Sequence, residues 1–149
     1  GLAFALCCDI RIAAAGARLG STSTRVGLLP DEGGAWLFPR IMGYDKAFRM
    51  VTLSEIYDAQ TALELGLVTE EVADEELERR TLELARSLAA GPPLALRAIK
   101  SMMRRALDST LDSSLGDAQQ AVLWVGPSAD AREGKAAFLA KRPPRFTGR

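Results

Sequence analysis

The apolar pattern of this chain changes once, near Asp74, from short interrupted segments to long helical periodicity, and that change restricts the folds open to it. Before it, Leu2, Phe4, Ala5, Leu6 and Cys7 form an apolar segment suited to a buried helix end, and Asp9-Ile10-Arg11-Ile12-Ala13 alternates as a strand does. Gly16 turns the chain into Arg18-Leu19-Gly20. The Pro and Gly content of residues 27–34 predicts a loop, followed by a helix over 35–42 that Pro39 kinks and Gly43 stops. A helix over 44–53 and an extended piece over 55–57 come next. Asp58 is placed to cap a helix over 59–65 that ends at Gly66, and residues 67–72 read as a strand.

Beyond Asp74, Leu77, Leu82, Leu84, Ala85 and Leu88 mark one amphipathic face, and Gly91-Pro92-Pro93 separates it from helices over 94–107 and 111–125. A last short helix over 131–140 ends at Lys141-Arg142-Pro143-Pro144. The expected fold is therefore α/β over 1–73 and helical over 74–149, without repeats or low-complexity segments. Helices with such apolar faces either pack back on the α/β layer or form a subunit interface.

Charge and residue usage narrow the chemistry. Lys plus Arg equals Asp plus Glu at 19 each, and no basic run exceeds two residues, so no electrostatic footprint for nucleic acid is present. Small molecules or copies of the chain are the expected partners. The longest apolar stretches, near 1–8 and 118–126, are too short to span a bilayer and follow no positively charged leader, which gives the expectation of a cytoplasmic protein. Cys7 and Cys8 are adjacent in an apolar run, where a disulfide would be strained and buried thiols are expected. The chain has no histidine, so Ser-His-Asp and Cys-His catalysis and His-ligated zinc are excluded, and an acid or base must be Asp, Glu, Lys, Tyr or Cys. It begins without Met inside an apolar segment, as a piece of a longer protein would.

Four stretches, in order, carry a resemblance. They are Cys8-Asp9-Ile10-Arg11-Ile12-Ala13; Gly27-Leu28-Leu29-Pro30-Asp31-Glu32-Gly33-Gly34 with Pro39-Arg40 and Gly43; Ala59, Ala62, Gly66, Leu67 and Val68; and Ser128-Ala129-Asp130-Ala131-Arg132-Glu133-Gly134 leading to Ala137-Phe138-Leu139-Ala140-Lys141-Arg142-Pro143. Together they resemble the enoyl-CoA hydratase/isomerase, or crotonase, family over nearly the whole chain. The resemblance implies the C-terminal part of a spiral of ββα units, followed by a helical region that builds homotrimers, often paired into hexamers. It implies an acyl-CoA thioester as substrate, with coenzyme A entering as part of it, and no metal, nicotinamide or flavin. Members of the family hold the thioester oxygen with two backbone N–H groups, which by the resemblance lie before Gly1. An oxyanion donor contributes roughly 3 to 4 kcal/mol, so the chain by itself is expected to be inactive. At Gly1 the plainer reading is a tight turn into the first helix.

Hydratases of the family use two glutamates, whose places here hold Ala3 and Ser23. Neither acts as a general base near neutral pH without a partner. The resemblance to family isomerases that carry a catalytic aspartate, of the dienoyl-CoA or epoxyphenylacetyl-CoA type, points to Asp31 as a proton shuttle; the other reading is that Asp31 caps the helix after Gly33. Glu32 is either a second working acid or a solvated charge at a helix start. Ser23 either meets the substrate or sits in a Ser/Thr-rich turn over 21–24. Phe138 and Lys141 match the aromatic and lysine with which family members contact the adenine and phosphates of coenzyme A, and their spacing would place them on one helical face. Otherwise Phe138 anchors the last helix and Lys141 is a charge at its C-terminus. Trp36 and Trp124 are expected in core or interface. The expected activity is isomerisation of enoyl-CoA through an oxyanion-stabilised enolate, with hydratase or lyase chemistry as one alternative and acyl-CoA binding without turnover as another.

Overall fold

The computed structural model describes all 149 residues, which divide into two compact units, Gly1–Glu83 and Leu84–Arg149. The first unit opens with helix α1 (Leu2–Leu6), strands β1 (Ile12–Ala14) and β2 (Arg18–Gly20), and a 3-10 turn over Ser23–Val26. Helices α2 (Gly34–Met42) and α3 (Tyr44–Leu53), strand β3 (Ile56–Asp58), helix α4 (Ala59–Glu64) and strand β4 (Glu70–Val72) complete its core. β1 pairs in parallel with β4, Ile12 opposite Glu70, and β2 pairs antiparallel with β3, Leu19 opposite Tyr57. Two-stranded sheets are marginal alone. What holds them is one buried cluster drawn from helices and strands: Ala3, Leu6, Ala13, Phe38, Met42, Ala47, Met50, Ala59, Ala62, Leu67 and Val68.

Side chains lock the strand ends. The Arg11 guanidinium donates to the carbonyls of Leu67 (2.7 Å), Cys8 (2.8 Å) and Gly66 (3.3 Å), tying the end of α4 to the turn after α1. Thr69 completes the lock: its N–H and hydroxyl both donate to the Arg11 carbonyl, and its hydroxyl accepts from the Arg11 N–H. This shifts two expected strands. β1 begins at Ile12, because Asp9 and Ile10 lie in the turn that presents Arg11; β4 begins at Glu70, because the Leu67 and Val68 N–H groups close onto the Ala62 carbonyl and their side chains enter the core. Cys7 and Cys8 are exposed, contrary to the burial expected of them, because the inward face of α1 is taken by Ala3 and Leu6. Pro39 stands inside α2, which runs on to Met42.

Asp58 caps α4 as its sequence position predicts, its carboxylate accepting from the Thr61 N–H at 2.8 Å. The Thr61 side chain first, and then this N–H, hold its carboxyl below the ordinary aspartate range. α5 (Leu77–Ala89) starts in the first unit, where Arg80 grips Glu70 of β4 with two hydrogen bonds of 2.5 and 3.0 Å.

The second unit holds α6 (Pro93–Ala106), α7 (Leu111–Val125) and α8 (Ala129–Leu139), with α6 packed on α7. Its buried apolar residues are few, Ala98 and Ala137, whereas Met103, Leu107, Leu111, Leu115, Val122 and Leu123 are exposed. No helix is long and apolar enough to cross a membrane.

Candidate active site

The stretch before α2 is a tight turn set by its prolines and glycines. The Asp31 N–H donates to the Leu29 carbonyl at 2.9 Å, closing a three-residue turn around Pro30, which is buried. Gly33 has φ +94°, a conformation that favours glycine, and at Gly34 a Cβ would lie 2.6 Å from the Phe38 ring and 2.8 Å from the Pro30 Cβ. Pro30 therefore packs directly onto backbone at the start of α2, and Asp31 and Glu32 are left exposed at the tip of a short, constrained loop. α2 has Gly33 as its N-cap and no side-chain capping bond. The capping alternative for Asp31 thus fails, because the left-handed Gly33 comes between the carboxylate and the first helical N–H groups.

Gly1 is the N-cap of α1, with its carbonyl accepting from the Ala5 N–H at 3.0 Å, as expected of a turn into the helix. Ala3, one turn in, is 1% exposed within the cluster that α1 shares with α2. Its methyl belongs to the core and offers nothing that moves a proton. Ser23 opens the 3-10 turn; its hydroxyl lies half-buried, 3.4 Å from that of Ser21. The turn is fastened to the end of α3. The Thr24 hydroxyl donates to the Val51 carbonyl at 2.8 Å; having one proton, it accepts from the Ser54 hydroxyl at 2.6 Å, and the Arg25 guanidinium donates to the Ser54 carbonyl at 2.9 Å. The structure accordingly mounts Gly1 and Ala3 on a helix packed against α2, Asp31 and Glu32 just ahead of α2, and Ser23 against α3, which itself packs on α2. Val26, Leu28, Leu29 and Trp36, which flank the acidic tip in sequence, are exposed.

A second constellation lies in the other unit, around α8. Ser128 caps the helix, accepting from the Ala131 N–H at 3.0 Å. The helix ends sooner than expected, at Leu139, and Lys141 follows it with φ +51°. The Arg142 N–H donates to the Ala137 carbonyl (3.0 Å) and the Lys141 N–H to that of Phe138 (3.2 Å), the paired bonds of a left-handed helix stop. Phe138 and Lys141 therefore do not share a helical face as their spacing suggests, since the chain has left the helix before Lys141. Phe138 is 83% exposed and so does not anchor the helix within this chain.

The tail after Lys141 forms a strap over α8 that sequence reasoning had not identified. The Arg142 guanidinium donates to both carboxylate oxygens of Glu133, at 2.6 and 2.9 Å, and the Arg145 N–H adds a third bond at 2.9 Å. Farther along, the N–H groups of Thr147 and Gly148 donate to the two oxygens of Asp130, at 2.7 and 2.8 Å, and Asp130 is 3% exposed. The Phe146 ring covers Gly134. The Arg142 contact and then the Arg145 N–H hold the Glu133 carboxyl down to about 2. The available signal was the spacing of Asp130, Glu133 and Gly134 on one side of a helix followed by a Pro-rich basic tail.

Comparison with known proteins places this geometry. The profile of the family described as Enoyl-CoA hydratase/isomerase matches residues 1–149. A Rhodobacter capsulatus protein named "Probable enoyl-CoA hydratase" is 40% identical over 149 residues, covering 100% of this chain and 58% of its own length. The 1,2-epoxyphenylacetyl-CoA isomerase of Escherichia coli is 41% identical over 149 residues, covering 100% and 57%. Among solved structures, the enoyl-CoA hydratase of Bacillus anthracis superposes with a TM-score of 0.93 at 35% identity, over 97% of this chain and 56% of that one. The chain thus spans a little over half the length of these relatives. With its whole length matched, its motifs in order and its backbone superposed, the chain belongs to the enoyl-CoA hydratase/isomerase family.

Proposed function

We propose that the protein carrying this chain is an enoyl-CoA isomerase in which Asp31 shuttles the proton. The observation that carries the reading is the placement of carboxylates. Ala3 and Ser23, where the family's hydratases hold glutamates, supply none, while Asp31 sits exposed on a constrained turn and is not used as a helix cap. One carboxylate suffices for the reaction. Asp31 takes a proton from C2 of a 3-enoyl thioester; the electron pair moves toward the thioester oxygen, held by donors from elsewhere in the full-length protein, and the dienolate forms. The same carboxyl then returns the proton at C4, and the double bond comes to lie between C2 and C3. Glu32, beside it, serves as a neighbouring charge or alternate acid. The 41% identity to an isomerase supports this reading.

Coenzyme A is assigned to the end of α8, where the exposed Phe138 ring offers a face for adenine and Lys141 a cation for phosphate. The second unit is assigned to the assembly of a homotrimer or hexamer, in keeping with its exposed apolar residues. The names of the Rhodobacter and Bacillus relatives favour a second reading, hydration of the 2-enoyl thioester.

The test uses the full-length protein, with 3-enoyl-CoA to 2-enoyl-CoA conversion and water addition followed in the same samples. Asp31→Asn is expected to lower isomerisation by about 100-fold or more, the scale of a lost acid–base group. Isomerisation that survives in Asp31→Asn removes the shuttle role. Water addition that survives the substitution establishes the hydratase reading, and no turnover of either ester leaves acyl-CoA binding as the function.

A further inference from the structure

The left-handed lysine and the strap behind it make one device. Glycine is the residue that ends helices most comfortably in the conformation Lys141 adopts; any other side chain there brings its Cβ close to backbone. Such a conformation persists only where its surroundings hold it. Here they do so from both sides. Before Lys141 runs α8; after it, Arg142 reaches back nine residues along the chain to Glu133, and the Arg145 N–H closes on the same carboxylate. The fork-to-fork pair of Arg142 and Glu133 is the strongest type of ion contact available, because two parallel N–H to oxygen bonds fix direction as well as distance. Asp130 and Phe146 then pin the remainder of the strap.

We infer that Glu133 is a positioning residue for coenzyme A: by gripping Arg142 and the Arg145 N–H it holds Lys141 in its left-handed turn, and so keeps the outward lysine and the exposed Phe138 ring as a preformed site for the nucleotide end of the thioester. This rests on the proposed assignment of Phe138 and Lys141 to coenzyme A. Glu133 touches no ligand itself. Its effect is to spare the bound state the ordering of a flexible lysine and tail, which is the usual way preorganisation raises affinity.

The experiment measures binding to the full-length protein, so that it does not depend on which reaction is catalysed. The probes are butyryl-CoA and the butyryl thioester of 4′-phosphopantetheine, which lacks the adenosine portion. Glu133→Gln, which keeps the size of the side chain and loses its charge, is expected to weaken butyryl-CoA binding roughly tenfold, the scale of one charge-assisted hydrogen bond. The shortened thioester should bind wild type and variant alike. Arg142→Lys, which keeps the charge but loses the fork, should show the same split, and it serves as the probe if Glu133→Gln does not fold. Parallel weakening of both thioesters overturns the inference in favour of a purely structural strap. Unchanged butyryl-CoA binding in Glu133→Gln, alongside weakened binding in Lys141→Ala, overturns the inference while the coenzyme A assignment stands. Unchanged binding in Lys141→Ala removes that assignment, and the positioning role with it.

Discussion

At Lys141 stability and the proposed contact with coenzyme A pull in different directions. A φ of +51° costs a lysine on the order of 1 kcal/mol relative to glycine, from the crowding of Cβ against backbone. Lys141→Gly should therefore leave the fold intact and raise its melting temperature slightly, while butyryl-CoA affinity falls as the cation is lost. Differential scanning calorimetry beside a binding titration reads both. A variant that is no more stable than wild type would mean that the left-handed turn places no strain on Lys141. Asp31 shows the converse arrangement: a turn built from Pro30, Gly33 and Gly34 allows backbone to close tightly beneath an exposed acid, so the constrained conformation falls on the glycines and not on the proposed proton shuttle.

At the scale of elements, the strap is the piece whose stability should depend on acid. Glu133 titrates at about 2 in the folded chain against an ordinary value of 4.5, through its hydrogen bonds from Arg142 and from the Arg145 N–H. The unfolded strap thus binds the proton more readily, so the contribution of Glu133 is complete above pH 4.5 and is lost as pH falls from there toward 2. Hydrogen exchange at Arg145, whose N–H bonds to Glu133, should accelerate across that window, and Glu133→Gln should exchange fast throughout. Exchange that is independent of pH after correction for the intrinsic rate would show that the tail is held by other contacts. The helices of this chain were legible where their signals are local: Asp58, Gly43 and Gly66 each mark an end by its own chemistry. The strands were less so. β1 and β4 have three residues each, and their placement is decided by the Arg11 to Thr69 lock across 58 residues of sequence, which periodicity does not register. The strap was missed for the same reason, since its partners are the backbone N–H groups of a Pro-rich tail that in sequence reads as a chain end.

At the scale of the whole molecule, the contrast between the units bears on assembly. The first unit buries a cluster built from most of its elements, whereas the second leaves Leu111, Leu115 and Val122 exposed along α7, at spacings of four and seven that put them on one helical stripe. A stripe of this kind is stable in water when another surface covers it, each leucine then contributing roughly 1.5 to 3 kcal/mol. The turn that carries Asp31 was legible in its Pro and Gly content, because that signal is local; which surface would cover α7 was not, because that depends on residues of another copy or another part of the protein. In the proposed assembly the cover is a second copy of the chain, by way of the helical region. The full-length protein should then sediment as a trimer or hexamer, and the double variant Leu115→Glu, Val122→Glu should sediment as a monomer, since two charges buried in an apolar interface have no partners there. The same variant should retain the circular dichroism of its helices, because both positions are already exposed in the isolated chain. A double variant that keeps the wild-type sedimentation coefficient would show that α7 faces solvent in the assembly, and the trimer contact would have to be sought on the exposed side chains of α6 and α8 instead.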